Sequence, residues 1–409
     1  MKILVVSDLH AFTSESRRGP DGKKPLPPSF IDFSSPSRRK FEDPLIGLRE
    51  LFQYDLPADI DLLIVAGDIA DKADPVAIRN AWSEIHDMAQ KAGAKVFATC
   101  GNHDLDTRHK SNKFDPRGFL RTLQPSYPVS HLPRDSHSIL EYWANNFTLL
   151  EEKTYRVLNI NSCAFHGYGD DHNQELNHGR ISDITLEAIE EALRKSHKED
   201  PSKHNICLVH HHIKPVSSDD YEDTSTIKGA EKLTDILSKA EFGEWFIIHG
   251  HRHRSNLFCA GGNTAPIVLS CASFAATRNG DEHNPCPNQF YVVQLDPQQN
   301  GKSKSISGII QTWNWTPTYG WMENNDIIGG LPSSTGFGYR GRISDLADRI
   351  RDKTKAELKL TRRSVIEHFP EFLRLVPSDV KSLIYSLEQQ GIVITYAGRE
   401  IEELVAPDV

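Results

Sequence analysis

The sequence has neither a long apolar run nor a paired-cysteine motif. No hydrophobic stretch approaches the roughly 18 residues that a membrane-spanning helix needs, so we do not expect an integral membrane protein. The N-terminal segment MKILVVSDLH reaches Asp8 without the apolar core and cleavage site of a secretory signal. The six cysteines have no CxxC spacing, which argues against disulfides and against a cysteine zinc site. A reducing, cytoplasmic location is therefore predicted.

The chain also lacks an overall excess of basic residues, because its 409 residues carry a formal net charge of -9. Positive charge is nevertheless concentrated in two stretches, residues 17–40 and residues 108–121. The first stretch includes Arg17 and Arg18, which are candidate substrate-binding residues because clustered cations hold polyanions. A run of solvated surface charge is the alternative interpretation.

Short apolar runs of strand length alternate with segments of helical periodicity in the first two thirds of the chain. The strand-like runs are residues 2–7, 62–67, 95–101, 155–162, 205–210 and 245–250. Helical patterns lie between most of them, as at residues 75–91 and 184–194, and this alternation predicts an α/β fold. After His253 the strand-like runs continue without a helical pattern, which predicts a second sheet packed on the first.

Residues 326–341 are rich in Gly, Ser and Pro, which is typical of a connector. We interpret them as a linker between a large domain, residues 1–325, and a small one, residues 342–409. Two helical patterns, over residues 343–372 and 378–390, precede the strand-like segment IVITY, which predicts a small helical or winged-helix-like C-terminal domain. DNA, a protein partner and a second copy of the chain are its alternative partners.

Side chains of the types that bind metal ions come at or directly after the ends of five of the strand-like runs. They are Asp8, His10, Asp68, Asp71, Asn102, His103, Asp104, His210, His211, His212, His251 and His253. Open α/β sheets place their sites at the carboxyl ends of the strands, and Gly67, Gly101 and Gly250 permit tight turns there. Carboxylate, amide and imidazole donors without thiolates suit manganese, iron or zinc.

Taken in order, the motifs DxH, GDxxD, GNHD, a strand-ending histidine and GHxH resemble those of the calcineurin-like metallophosphoesterase superfamily. The resemblance covers roughly residues 1–320 and implies two packed mixed β-sheets flanked by helices. It also implies two divalent metal ions per chain. One would be held by Asp8, His10, Asp68 and His253, and the other by Asp68, Asn102, His210 and His251. Asp68 is then the bridging ligand.

The resemblance also implies roles for residues beside the ions. His103 is similar to the catalytic histidine that binds no metal, and Asp71 matches the carboxylate that orients it. In the histidine triplet His210 is the expected ligand. A shift of one residue would give that role to His211, which is otherwise a candidate substrate-binding residue. His166 lies in a loop without partner spacing and is expected to be a surface residue without a catalytic role; the segment GYGDDHNQELNHG that follows it is a candidate to cover the site.

These motifs predict an enzyme that hydrolyses phosphate esters with two metal ions, manganese being expected and iron or zinc the alternatives. The protein phosphatases of the superfamily show Arg-Gly after GDxxD and a GNHE block, whereas this chain has Lys72-Ala73 and GNHD. A phosphodiesterase acting on a nucleotide or nucleic acid is therefore predicted. The alternatives are a phosphomonoesterase, whether a nucleotide or a protein phosphatase, and an inactive scaffold with the same fold.

Overall fold

The structure is a computed structural model, and some segments of the chain are not covered by its description. The described residues are 1–14, 27–54, 59–110, 114–169, 175–215, 225–262, 264–277, 280–281, 284–297, 305–323, 329–398 and 400–406.

Strands occur along the whole described chain. They are β1 (Lys2–Val6), β2 (Leu62–Val65), β3 (Lys95–Ala98), β4 (Phe147–Glu151), β5 (Tyr155–Ile160), β6 (His204–Leu208), β7 (Trp245–His249), β8 (Asn256–Cys259), β9 (Ile267–Ser270), β10 (Gly280–Asp281), β11 (Asn284–Pro285), β12 (Asn288–Leu295), β13 (Gly308–Thr316), β14 (Gly320–Glu323), β15 (Ser334–Phe337), β16 (Lys359–Thr361), β17 (Val393–Ala397) and β18 (Glu400–Val405).

The helices lie mostly in the first half of the chain and near its C-terminal end. They are α1 (Pro44–Tyr54), α2 (Pro75–Ala92), α3 (Gly118–Thr122), α4 (His137–Asn145), α5 (Asp183–Glu199), α6 (Ala230–Leu237), α7 (Ile343–Glu357), α8 (Arg362–His368) and α9 (Pro377–Gln389). Among the described residues, none of these helices has both the length and the apolar character that crossing a bilayer requires. All six cysteines are free thiols.

Two large mixed sheets form the body of the molecule. The first has seven strands in the order β14-β13-β12-β1-β2-β3, with β15 also paired to β13. The second has six strands in the order β4-β5-β6-β7-β9-β8. Strands β1, β2 and β3 are parallel to one another, as are β5, β6, β7 and β9, so that their carboxyl ends lie at one edge of each sheet.

The prediction of two packed sheets flanked by helices is confirmed, but the strands after His253 do not make up a sheet of their own. Strand β12 pairs antiparallel with β1 and extends the first sheet, whereas β9 pairs parallel with β7 and extends the second. Each sheet therefore contains strands from before and after His253. Sequence pattern cannot distinguish these pairings, because both kinds of strand are apolar runs bounded by turn residues.

Three apolar layers hold the sheets and helices together. In β1, Ile3 and Val5 face the core between the two sheets, whereas Leu4 and Val6 face the outer core with α1 and α2. The second sheet packs its other face on α5 and α6 in a third cluster. Burial on both faces explains why the central strands are continuous apolar runs rather than alternating ones.

Helix α2 fixes the loop that carries the GDIAD motif. The Asp74 carboxylate caps the helix by accepting hydrogen bonds from the backbone N–H groups of Val76 and Ala77, and Pro75 occupies the first turn. The other carboxylate oxygen of Asp74 accepts a 2.8 Å hydrogen bond from the backbone N–H of Thr13. The same side chain thus ties the loop after β1 to the loop after β2.

The C-terminal part contains helices and a small sheet of order β16-β18-β17. Its elements follow one another as helix, strand, two helices and a two-stranded hairpin, and the winged-helix-like interpretation stays a prediction. The helix predicted over residues 343–372 is interrupted after α7, because Leu358 has a left-handed backbone (φ 66°) and strand β16 follows. Helix α9 begins at Pro377, one residue before the predicted helical pattern of residues 378–390.

Part of the segment interpreted as a linker is a strand of the first sheet. Strand β15 pairs with β13 in antiparallel register. Farther along the chain, Arg374 donates two hydrogen bonds, of 2.8 and 2.9 Å, to the carboxylate of Asp296, and Val376 is buried in the core between the sheets. The domain boundaries proposed from composition stay a prediction, but residues 334–337 belong to the sheet.

Candidate metal centre

The polar residues that follow the parallel strands come together at the carboxyl edges of both sheets. Asp8 and His10 follow β1, Asp68 follows β2, and Asn102 opens a short 3-10 turn after β3. His210 follows β6, and His251 and His253 follow β7. The backbone N–H of Asp8 donates to the carbonyl of Gly67, and that of Gly250 donates to the carbonyl of His210, so each loop is hydrogen-bonded to its neighbour.

A first group of donor atoms is formed by Asp8, His10 and His253. The Nε2 atoms of His10 and His253 lie 3.0 Å apart, and Nε2 of His253 lies 3.5 Å from Oδ1 of Asp8. Nε2 of His10 also lies 3.8 Å from Oδ2 of Asp68. One ligand atom from each of Asp8, His10 and His253 lies within 4.8 Å of the others, which is close enough to surround one ion.

A second group lies on the other side of Asp68. Nε2 of His210 is 3.4 Å from Oδ2 of Asp68 and 3.2 Å from Oδ1 of Asn102. Nδ1 of His251 is 3.0 Å from the same Asn102 oxygen. Asp68 therefore lies between the two groups of donor atoms.

The donor atoms fit divalent metal ions. Two nitrogen atoms bound to one ion at about 2.1 Å are about 3 Å apart when they subtend a right angle, which is the separation of the His10 and His253 nitrogens. Nδ1 of His210 lies 2.8 Å from the carbonyl oxygen of Ala66 and donates to it, so Nε2 is the nitrogen that faces Asp68 and would bind an ion after losing its proton. The set offers oxygen and imidazole nitrogen without thiolate, the chemistry that manganese, iron and zinc accept.

Several of these residues have a backbone conformation that side chains disfavour. Asp8, His10 and Asp68 have φ values of 54°, 48° and 54°, and His251 and His253 have values of 79° and 54°. A left-handed residue other than glycine costs roughly 1–2 kcal/mol, and such strain is concentrated at functional sites. The sharp turns direct the side chains toward one another. This strain was not foreseen from the sequence.

Two of the three motif glycines are required for close approach rather than for a positive φ. Gly101 has a φ of -91°, but a Cβ atom there would overlap the carboxylate of Asp68. A Cβ atom at Gly250 would overlap Ser7 and Asp8. Gly67 does adopt a positive φ of 95°. The prediction of tight turns therefore holds for Gly67, and the other two glycines make room for the two aspartates.

Burial and neighbouring imidazoles oppose each other in setting the charge of the aspartates. Burial disfavours the charged form of Asp68, but the imidazoles of His210 and His103 outweigh it and hold the pKa of Asp68 well below its usual range. Burial likewise opposes ionisation of Asp8, and His253 holds the pKa of Asp8 low. Burial lowers the pKa of His10 to about 4. At neutral pH the centre thus presents carboxylates and at least one neutral imidazole at His10.

His103 lies beside the donor atoms and is paired with an acid. Its Nδ1 is 3.0 Å from Oδ1 of Asp71, and its backbone N–H donates a 2.7 Å hydrogen bond to Oδ1 of Asp68. Burial lowers the pKa of His103, but the charges of Asp68 and Asp71 outweigh burial, so that its pKa is raised. Its side chain is 36% exposed, which leaves the ring accessible to a substrate.

The other two histidines of the triplet are buried. Nδ1 of His211 lies 2.9 Å from Oγ of Ser162, and the ring of His211 packs against His251 at 4.3 Å between centroids. His212 is 1% exposed and stacks on His251 at 5.9 Å. Of the three rings, that of His210 lies against Asp68 and Asn102. Substrate binding by His211 stays a prediction, and Arg17 and Arg18 lie outside the described residues.

Two further residues support the centre, of which Asp104 was identified from the sequence and Ser7 was not. Oγ of Ser7 donates a 2.5 Å hydrogen bond to Asp8 and orients its carboxylate. The carboxylate of Asp104 accepts hydrogen bonds from the backbone N–H groups of Ala70 and Gly101, so it joins the loops after β2 and β3. The only sequence signal for Ser7 is its position beside Asp8, whereas Asp104 is part of the GNHD motif.

The sequence of the N-terminal part of the chain matches a known family. Residues 1–255 match the family described as calcineurin-like phosphoesterase, and this stretch is more than half of the chain. The chain therefore belongs to the calcineurin-like phosphoesterase family. Membership indicates a phosphoester hydrolase that depends on divalent metal ions, typically two.

Solved structures in this superfamily resemble the chain at low sequence identity. The purple acid phosphatase PPD1 from yellow lupin (Lupinus luteus) seeds is 13% identical over 79% of this chain and 52% of its own, with a TM-score of 0.45. The 5'-nucleotidase precursor from Thermus thermophilus is 11% identical over 75% of this chain and 53% of its own, with a TM-score of 0.37. The chain thus spans about half the length of these two proteins. A search of curated proteins gave no match.

Proposed function

We propose that the protein is a phosphodiesterase that acts on a nucleotide or nucleic-acid phosphodiester with two divalent metal ions. The observation that carries this proposal is the position of Asp68 between two groups of donor atoms, with the His103–Asp71 pair beside them. A scaffold protein would have no need to retain both groups of donors together with a histidine oriented by an acid.

Under this proposal Asp8, His10, Asp68 and His253 hold one ion, and Asp68, Asn102, His210 and His251 hold the other. When bound, two such ions lower the pKa of a water molecule and neutralise charge on a phosphoryl group. Manganese is the proposed metal, with iron and zinc as alternatives that the donor set also accepts.

The role of His103 in the proposed reaction follows from its charge and exposure. Its imidazole is held by Asp71 and is partly open to solvent, so it is placed to donate a proton to the leaving oxygen. The neighbouring carboxylates favour the protonated ring. Asp71 positions the ring and stabilises the imidazolium.

Two features support a diester over a monoester. Lys72 and Ala73 stand where the protein phosphatases of the superfamily show Arg-Gly, and GNHD replaces their GNHE block. Exposed cations also adjoin His103, since Lys72, Arg108 and Lys110 line the cleft next to it. Such cations suit a substrate that carries more than one phosphate.

The proposed specificity is tested with manganese-loaded protein and three substrates: a bis-aryl phosphodiester, the corresponding aryl monoester and a labelled DNA strand. We expect diester cleavage to exceed monoester cleavage, and binding of the DNA strand to weaken steeply as salt is raised, because several phosphates are neutralised together. A strong preference for the monoester, with no cleavage of DNA, would support a phosphomonoesterase instead. Absence of bound metal and of all three activities would support the scaffold.

The histidine triplet gives a test of the metal ligands. His210→Ala should remove activity and lower the metal content, because His210 is the member of the triplet whose Nε2 faces Asp68 and Asn102. His212→Ala is the matched control and should leave the metal bound. Metal analysis after dialysis, together with the rate on a bis-aryl diester, measures both outcomes. Loss of metal in His212→Ala with retention in His210→Ala would show that the register of the ligand is different.

A further inference from the structure

A cleft of about 310 Å³ opens directly beside the candidate metal centre. Asn102 and His103 form the wall nearest the centre, and Lys72, Arg108, Lys110 and His166 are among the residues that form the other walls. A volume near 300 Å³ is at the lower end of the range for ligand sites, sufficient for part of a substrate. Asn102 and His103 belong both to the cleft wall and to the centre. A substrate bound at the centre can therefore extend one end into the cleft.

The cleft carries net positive charge. Of the described residues that line it, Lys72, Arg108 and Lys110 contribute three cations and Asp106 one acid, and Nζ of Lys72 lies 3.8 Å from the carboxylate of Asp71. Oδ1 of Asp106 accepts a 2.8 Å hydrogen bond from the backbone N–H of Lys110, so this acid holds the loop that carries two of the cations. Lys72 has a strained backbone with a φ of 53°, which directs the chain beside Asp71 into the cleft wall.

His166 lines the same cleft and has a buried, unsatisfied hydrogen-bonding atom. It was expected to be a surface residue, but it is 8% exposed, and its Nδ1 has no hydrogen-bond partner among the described residues. A buried polar atom without a partner is uncommon and calls for an explanation. Burial lowers the pKa of His166 to about 4, and Arg108 acts in the same direction, so the ring is neutral. A neutral ring at this place provides a hydrogen bond without adding charge.

We propose that this cleft binds a second phosphate, carried by the leaving group of the substrate. The inference rests on the proposed function and specifies its substrate: the leaving nucleoside carries a further phosphate, as it does within a nucleic-acid strand. The leaving group must lie beside His103, which supplies its proton, and the cleft begins at His103. Arg108 and Lys110 then bind the second phosphate, and His166 provides a hydrogen bond to the same group.

The test compares thymidylyl-thymidine with the same dinucleotide carrying an added 3'- or 5'-phosphate, using manganese-loaded protein. We expect kcat/KM to be about tenfold to a hundredfold higher for one of the phosphorylated forms, the effect of one or two hydrogen bonds to a charged group. Arg108→Ala should lower that ratio toward one, and Arg108→Lys should restore part of it. Lys91→Ala, which removes an exposed cation in the last turn of α2, is the control and should leave the ratio unchanged.

A binding measurement makes the test independent of turnover. Thymidine 3',5'-bisphosphate should bind the metal-free wild type about tenfold more tightly than Arg108→Ala, and this difference should shrink at high salt. Thymidine triphosphate, whose leaving group is pyrophosphate, is tested as a further substrate. Its kcat/KM shows whether the second phosphate comes from a nucleoside polyphosphate or from a strand. Equal kcat/KM for all three dinucleotides, or a ratio that Arg108→Ala leaves unchanged, would overturn the cleft assignment alone. Absence of hydrolysis of every substrate would overturn the proposed function itself.

Discussion

Asp68→Ala is expected to remove both metal ions and to reduce phosphoester hydrolysis to background. The carboxylate of Asp68 lies 3.4 Å from Nε2 of His210 and 3.8 Å from Nε2 of His10, so it faces both groups of donor atoms. It is also 1% exposed, and the imidazoles of His210 and His103 hold its pKa well below the usual range, so it is ionised. Metal analysis after dialysis should fall from about two ions per chain toward none.

His10→Ala is the control variant for Asp68→Ala. In the proposed assignment His10 holds only one of the two ions, so this variant should lose mainly that ion. Asp68→Asn retains an oxygen that can accept the backbone N–H of His103, and it separates loss of the charge from loss of the loop structure. If Asp68→Ala kept both ions with unchanged affinity, the assignment of a binuclear centre would be wrong.

His103→Ala should keep both ions and lose turnover by about 10²-fold to 10⁴-fold, the usual contribution of a general acid. One nitrogen of the His103 ring lies within 4.8 Å of ligand atoms of His10 and Asp68, but its Nδ1 is hydrogen-bonded to Asp71, and it is not a metal ligand in the proposed assignment. The loss should be larger for a nucleoside leaving group than for a nitrophenyl group, because nitrophenolate departs readily without a proton. Rates on both kinds of diester, with metal analysis of the same samples, measure this. An equal loss on both would show that His103 does not act as the acid.

The pH dependence of turnover tests the His103–Asp71 pair. A general acid is active while it is protonated, so activity is present below its pKa and is lost as the pH rises through that value. Asp68 and Asp71 raise the pKa of His103 against the effect of burial. Asp71→Asn removes one of these contributions and should move the loss of activity to lower pH. An unchanged or opposite shift in the profile of kcat would contradict the pairing.

The fold was predictable where hydrophobic pattern and turn residues act locally. All six predicted strands before His253 are present, with ends shifted by a few residues, because strands buried on both faces leave a continuous apolar run. The pairing of β12 with β1 was not predictable, since the two strands are far apart in the chain and any apolar run satisfies the pattern. The short strand β16 was also missed, because three residues carry too weak a signal.

The residues of the candidate centre were predictable from the sequence, but their backbone conformations were not. The motifs placed every donor at a strand end, and the structure brings these seven side chains together. The positive φ values of Asp8, His10 and Asp68 have no sequence signature, because nothing in these residue types requires a left-handed backbone. His166 was misjudged for a related reason: burial of a loop histidine depends on segments distant in the sequence.

The donors of the proposed centre come from both sheets, so the stability of the folded protein depends on the concentration of free metal ion. Asp8, Asp68 and Asn102 follow strands of the first sheet, whereas His210 and His251 follow strands of the second. An unfolded chain cannot hold these side chains together, so the ions bind the native state alone. Free ion at a hundred times its dissociation constant then adds about 2.7 kcal/mol to the free energy of unfolding for each site. Metal starvation would therefore lower the amount of folded protein as well as its catalytic rate.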